Sequence, residues 1–436
     1  MNNQKTFSSR LGFVLASVGS AVGMGNIWLF PYRVGQYGGA AFLIPYFIFV
    51  ALFGALGLSG EFGLGRLAKS GPIEAYRHAF STRKKSGGRF LGAIPLVGSL
   101  GIAIGYAIIV GWVARFLFGS FTGDIFKAEP SAYFSQITGS FGSFKWHILV
   151  IAITVCVLLF GILKGIERLS KIMMPAFFIL FLVLAVRVAF LPGAHAGYEY
   201  LLVPKWEFLL KPITWIMAMG QAFFSLSITG SGMIIYGSYL SKKEDVVKVA
   251  VTTSLLDTCA ALLSSFVIIP AVFAFGMDPM SGPPLMFITM PKIFAAMPWG
   301  SLFAVLFFVS VFFAGITSLV NMLEVCTAAA QTQLKLSRTV STLFVGALTL
   351  GIGLFLESEP LLGTWMDWIT IYIVPLGAVL GAIVIYWVLD SSCFAKELNS
   401  GRKQLLPNWF FKVGKFVYVP LAVIVLCLGI FLGGIG

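Results

Sequence analysis

The stretch Gly19-Ser20-Ala21-Val22-Gly23-Met24-Gly25-Asn26-Ile27-Trp28-Leu29-Phe30-Pro31-Tyr32 decides how this chain is read. It lies within an apolar segment long enough to cross a bilayer, yet it carries three glycines and an asparagine. Glycine weakens a helix and lets other groups approach the backbone, and a buried amide must find partners. Non-helical backbone at membrane depth survives only where protein or an aqueous cavity satisfies it. The stretch therefore reads as a broken helix around an ion and solute site, or as a glycine-rich packing face against neighbouring helices.

The composition sets the surroundings. Of 436 residues, 58% are hydrophobic and only 11% are charged, the mark of a polytopic membrane protein built as one bilayer-embedded bundle. Eleven spans are expected, roughly 11–35, 40–67, 92–120, 146–163, 170–190, 213–240, 246–275, 299–333, 339–356, 364–390 and 416–435. Most of the 30 Lys and Arg residues, Arg83-Lys84-Lys85 among them, fall between spans on one side. The net charge of +13 is thus a positive-inside signal and not a nucleic-acid footprint. It places the N-terminus in the cytoplasm and, after eleven spans, the C-terminus outside, in a cell inner (plasma) membrane. The five cysteines lie in or near apolar segments and imply no disulfide framework. The absence of a glycosylation sequon points to a prokaryotic source.

The sixth span repeats the peculiarity of the first. Phe224-Ser225-Leu226-Ser227-Ile228-Thr229-Gly230-Ser231-Gly232 puts hydroxyls and two glycines at mid-membrane. Two interrupted spans, five apart and so of opposite topology, point to a transporter site built on inverted repeats. Asp257 is a carboxylate within the apolar seventh span; such groups are costly and functional by default.

At these residues the sequence resembles the neurotransmitter:sodium symporters, especially their bacterial amino-acid transporters. The resemblance is carried by Gly23 to Tyr32, Gly38 to Tyr46, Glu61 to Gly65, Tyr106, Gly111-Trp112, Phe224 to Ser227, Tyr236 to Tyr239, Phe313 to Ser318 and Leu334 to Arg338. It covers nearly the whole chain. It implies an all-α membrane fold with a cytoplasmic tail (1–10), a first five-helix repeat (11–190), an inverted second repeat (213–390), and a loop with an eleventh helix (391–436). It also implies Na+-coupled import by alternating access, with two Na+ ions, no organic cofactor, and a monomer or weak oligomer.

Carried over residue by residue, the first sodium site would use Ala21, Asn26, Ser225 and Asp257, completed by a substrate carboxylate. The second would use Gly19, Val22, Ala314, Thr317 and Ser318. All supply oxygen, as a hard cation requires. The N–H groups of Met24 and Gly25 with the Tyr106 hydroxyl would hold the carboxylate; carbonyls of Ala21, Phe224 and Ser225 would face the ammonium. Ser20, Ile102, Phe224, Ser227, Gly230, Ser318 and Met322 would surround the side chain, with glycine at 230 leaving room for a large hydrophobic or aromatic group. Glycine at 23, where amine-transporting relatives carry aspartate, favours an amino acid. Asp257 would supply the fixed negative charge that makes chloride unnecessary.

Three positions depart from the family pattern. Leu29 stands where an outer-gate arginine is usual, so Arg33, one turn outward, is expected to pair with Asp367, unless it is a plain interfacial arginine. At the inner gate Arg10 is present, but Phe7 and Thr332 replace the usual tryptophan and aspartate, leaving Lys5 and Arg10 to find other acceptors. Glu324 is expected to orient neighbouring helices, the alternative being titration in a proton-coupled return step. A solute sensor or substrate-gated channel on the same fold is the alternative. An enzyme is not indicated, since His78, His147 and His195 are scattered and no nucleophile motif occurs.

Overall fold

A computed structural model describes residues 6–278 and 284–435; Lys5, and with it part of the expected inner gate, lies outside the described residues. The regular structure among the described residues is entirely helical. An apolar solvent leaves a helix as the open-ended element that satisfies its own backbone. We number the principal helices α1 (Arg10–Ala21), α2 (Gly25–Gln36), α3 (Ala40–Ala68), α4 (Gly88–Thr122), α5 (Phe144–Leu159), α6 (Ile162–Ala189), α7 (Pro212–Ser225) and α8 (Gly232–Ser238). They continue as α9 (Val246–Ala274), α10 (Gly300–Gln333), α11 (Arg338–Leu356), α12 (Glu359–Val388) and α13 (Asn408–Leu432).

Eight of these are long and apolar enough to cross a membrane, and α1 with α2, bent by 63° at their break, make a ninth. The fourth expected span is shorter than the rest, 16 residues in α5, and the sixth is divided between α7 and α8. The long α4 and α10 pack along one another at the centre. Outer helices turn bare apolar side chains outward, as Ile172, Ile179, Leu182 and Val186 do on α6.

The two breaks have local causes. At the end of α1, Val22 leaves helical geometry (ψ 112°) and its N–H closes on the Val18 carbonyl. After α7 the chain passes through left-handed backbone at Ser227 (φ 51°) and Gly230 (φ 73°), then restarts at Gly232. Glycine takes such a φ readily; Ser227 is offset by its hydroxyl, which donates to the Ser20 carbonyl at 3.1 Å.

Elsewhere glycine permits contact without side chains. A Cβ at Gly65 of α3 would overlap the Ile234 carbonyl oxygen of α8, and one at Gly237 of α8 would overlap the Phe62 carbonyl oxygen of α3. The two backbones therefore lie directly against each other. A methyl at Gly65 must force them apart, at a cost of about 1–3 kcal/mol or more. Gly65→Ala should accordingly lower the midpoint of thermal unfolding in detergent. Gly351→Ala on α11, where the added methyl meets nothing within 4 Å, should leave it unchanged or raise it.

Candidate functional site

The two breaks face each other across the middle of the bundle, and α9 and α10 supply the side chains between them. Asn26, in the first turn of α2, and Asp257, midway along α9, are buried, so each needs partners. They find each other: Asn26 Nδ2 donates to Asp257 Oδ1 at 2.8 Å and to Ser225 Oγ at 3.1 Å. Ser225, the last residue of α7, donates in turn to Asp257 Oδ2 at 2.6 Å. The Asn26 Oδ1 atom accepts the Gly23 N–H at 3.1 Å, closing the turn at the first break. Three of the four residues expected around the first ion thus form one network from three helices, with Ala21 beside it at the end of α1. The amide oxygen of Asn26 faces Gly23, however, and its NH2 group faces Asp257.

The second group is formed by the end of α1 and one face of α10. Ala314, Thr317 and Ser318, spaced i, i+3, i+4, share that face. Ser318 Oγ lies 3.0 Å from the Val22 carbonyl, 3.1 Å from that of Gly19 and 3.4 Å from that of Ser20. Thr317 Oγ1 lies 3.1 Å from the Ala314 carbonyl, and a Cβ at Gly19 would meet the Thr317 side chain at 2.9 Å. Five residues scattered over 300 positions of sequence therefore converge on a cluster of carbonyl and hydroxyl oxygens.

Between these groups lies a cavity of about 250 Å³. Ser20, Ala21, Met24, Gly25, Ile102, Tyr106, Phe224, Ser225, Ser227, Ser318 and Met322 all line it, as expected from the sequence. Gly230 does not. Its α-carbon packs against the Gly377 carbonyl of α12 and the Tyr76 hydroxyl, so the room inferred from its missing side chain is not in the cavity. Tyr106 Oη accepts the Met24 N–H at 3.2 Å, and the ring of Phe224 lies over Gly25. Residues that sequence reading missed complete the walls: Trp28, Leu29, Ile109, Met366 and Thr370, with Val425, Gly429, Gly434 and Ile435 from α13 and beyond. Apart from Gly434 and Ile435 they are apolar or weakly polar residues on helices, and only packing reveals which of them face inward.

The sodium:neurotransmitter symporter family model matches residues 4–136 and 129–432. The chain belongs to the sodium:neurotransmitter symporter family. It is a sodium-coupled membrane transporter, not an enzyme. It is 34% identical to an uncharacterized sodium-dependent transporter of Bacillus subtilis (strain 168), YhdH, over 99% of both chains. It is 32% identical to an uncharacterized sodium-dependent transporter of Methanocaldococcus jannaschii, over 93% of this chain and 86% of that one. Among solved structures, that of MhsT in complex with L-phenylalanine superposes with a TM-score of 0.86 at 30% identity, covering 98% of this chain and all of that one.

The residues expected at the two gates make other contacts than the sequence suggests. Arg33 does not pair with Asp367. It is buried and donates to the Ile435 carbonyl at 2.5 Å, while Asp367 is exposed on α12. At the other end Arg10 takes part in no ion pair among the described residues. Instead Ser8 donates to Glu167 through its backbone N–H (2.8 Å) and its hydroxyl (2.5 Å), and Lys171 pairs with the same carboxylate at 2.6 Å. Phe7 packs edge-on against Phe13, and its N–H reaches the Tyr239 carbonyl. Thr332 bonds only within its own helix region, to the Ala328 and Ala329 carbonyls and Gln333. Glu324 accepts from Arg338 at 2.7 Å and from the Tyr239 hydroxyl at 2.6 Å, so it joins α10, α11 and the segment after α8.

Glu61 is a further residue that the sequence carries without stating its role. Buried on α3, it accepts the Gly230 N–H at 2.7 Å and so satisfies the second break. Its signal was the one that marked Asp257, a carboxylate inside an apolar span. Glu61→Ala should cost about 1–3 kcal/mol by leaving that N–H unpaired, whereas Glu61→Gln, which keeps an acceptor, should lose less. Thermal unfolding of the two variants in detergent checks the order.

Proposed function

We propose that the chain imports a large hydrophobic or aromatic amino acid together with Na+, without chloride, by alternating access between two faces of the membrane. The observation that carries this reading is the position of the cavity, at the meeting of both breaks. A backbone N–H and a tyrosine hydroxyl stand on one side of it, and Ile102, Ile109, Phe224, Met322 and Met366 form apolar walls. The substrate carboxylate would take up the Met24 N–H and the Tyr106 hydroxyl, where freed helix N–H groups favour an anion. A side chain at Gly23 would run into Tyr106 Oη at 2.8 Å and Ser318 Oγ at 3.3 Å. There is thus little space for a carboxylate from the protein, which favours a substrate that brings its own.

The first ion would sit among Ala21, Asn26, Ser225 and Asp257, with the Asn26 amide turned so that its oxygen faces the ion. The second would sit among Gly19, Val22, Ala314, Thr317 and Ser318. Asp257, a fixed anion at the first position, would make chloride unnecessary. The orientation proposed has the N-terminus in the cytoplasm, with α5 and the pair α7–α8 completing eleven spans in two inverted repeats, 11–190 and 213–390. That MhsT was solved with L-phenylalanine supports the substrate class.

Thermal stabilisation of the purified protein, screened across the twenty amino acids with and without Na+, tests the reading. Phenylalanine, leucine and similar residues should stabilise it only in Na+, by about 2.7 kcal/mol at a hundred times the dissociation constant, and glycine should not. Replacing chloride with gluconate should change nothing, and Asp257→Ala should abolish the Na+ effect. Equal stabilisation in Na+ and K+ would overturn the proposal, and binding without uptake would identify a sensor.

A further inference from the structure

The segment after α13 lies on the cavity. Left-handed glycines at 433 (φ 68°) and 434 (φ 115°) turn the chain back on its own helix, where the Gly434 N–H bonds the Gly429 carbonyl at 2.8 Å. The turn delivers Ile435, 3% exposed, between α2, α7 and α12. Its carbonyl oxygen rests on the α-carbon of Gly220, a position where any side chain would collide with it, and receives the Arg33 guanidinium. The other hydrogen-bond acceptor of Arg33 is the Met217 carbonyl on α7, at 3.5 Å. No carboxylate pairs with it among the described residues. Among the described residues the buried guanidinium is thus held by carbonyls alone, and it is held where Gly434 and Ile435 line the cavity.

We propose that residues 433–435 are the outer gate of this transporter, a backbone plug latched by Arg33, in place of an ion pair between helices. The plug is seated when the Ile435 carbonyl holds Arg33 and Gly220. It opens when the two glycines let the segment swing away, which exposes the cavity and frees the guanidinium at its mouth. This inference rests on the orientation proposed above, in which α2 ends outside.

The test is the rate at which a membrane-impermeant methanethiosulfonate, added outside intact cells, modifies Met366→Cys in a background with the five native cysteines changed to alanine. Arg33→Gln and deletion of residues 433–436 should each speed modification about tenfold or more, the scale of one lost charge-assisted hydrogen bond. Arg33→Lys should give an intermediate rate. If the deletion variant does not reach the membrane, Arg33→Gln carries the test alone. Lys127→Cys, in the loop after α4, should react at one rate in all backgrounds. Reaction at 127 with unchanged rates at 366 overturns the gate, whereas no reaction at 127 overturns the orientation and the outer assignment with it.

Discussion

A membrane offers no water to a broken helix, so each peptide group released at a break must be met by the protein. That requirement organises the structure. At the first break Asn26 receives the Gly23 N–H and Tyr106 receives that of Met24. At the second, Glu61 receives the Gly230 N–H. The freed carbonyls of Gly19, Ser20 and Val22 are met by hydroxyls of Ser227 and Ser318. Every one of these partners comes from a different helix than the group it satisfies, apart from Asn26. The breaks therefore cannot exist without the bundle, and the bundle is held in register by the breaks. A cavity lined with polar groups that can exchange one partner for another is the by-product, and a transporter needs such a cavity.

The ends of the molecule are settled by other means. The buried carboxylates of Glu167, Glu324 and Glu397 each have a cation, in Lys171, Arg338 and Arg66. All three pairs lie toward the end that holds Arg10, the face with most of the basic residues. At the opposite end the buried Glu357 has His147 at 2.9 Å and the Ser143 hydroxyl, and the buried Arg33 is met by backbone. The buried carboxylates that have a Lys or Arg partner thus gather at one end of the cavity, and charge-reversing substitutions should tell the two ends apart.

Much of this was legible in the sequence, and the parts that were not have a common reason. Glycine, asparagine and aspartate inside apolar runs are improbable unless something compensates them, so Gly23, Asn26, Gly230 and Asp257 announced both breaks and the first polar network. Glu61 stood in the same plain view, and only its partner was missing. Met366, Ile109 and Thr370 were invisible because an apolar or weakly polar residue on a buried helix looks the same whichever way it points. Gly230 misled for the converse reason: a missing side chain says that something lies close, without saying whether it is a cavity or the Gly377 carbonyl. Arg33 was assigned to Asp367 by analogy with a charge pair. The structure instead uses a peptide carbonyl, an acceptor present at every residue and therefore unmarked in any sequence.

The seam between α3 and α8 bears on how such a molecule can work. Gly65 against Ile234 and Gly237 against Phe62 press α8 onto the later part of α3 backbone to backbone, and Glu61 of α3 holds the Gly230 N–H just before α8 begins. The other half of the sixth span, α7, lies along the earlier part of α3 through side chains, Phe223 edge-on to Phe53 and Trp215 to Phe49, with Gly220 under Ile435. The two halves thus rest on one helix through joints of different kinds, with six residues of irregular backbone between them. Backbone pressed on backbone leaves no rotamers to absorb a displacement, whereas interlocked side chains can repack, so where glycine falls sets which half of the sixth span must follow α3 if it moves.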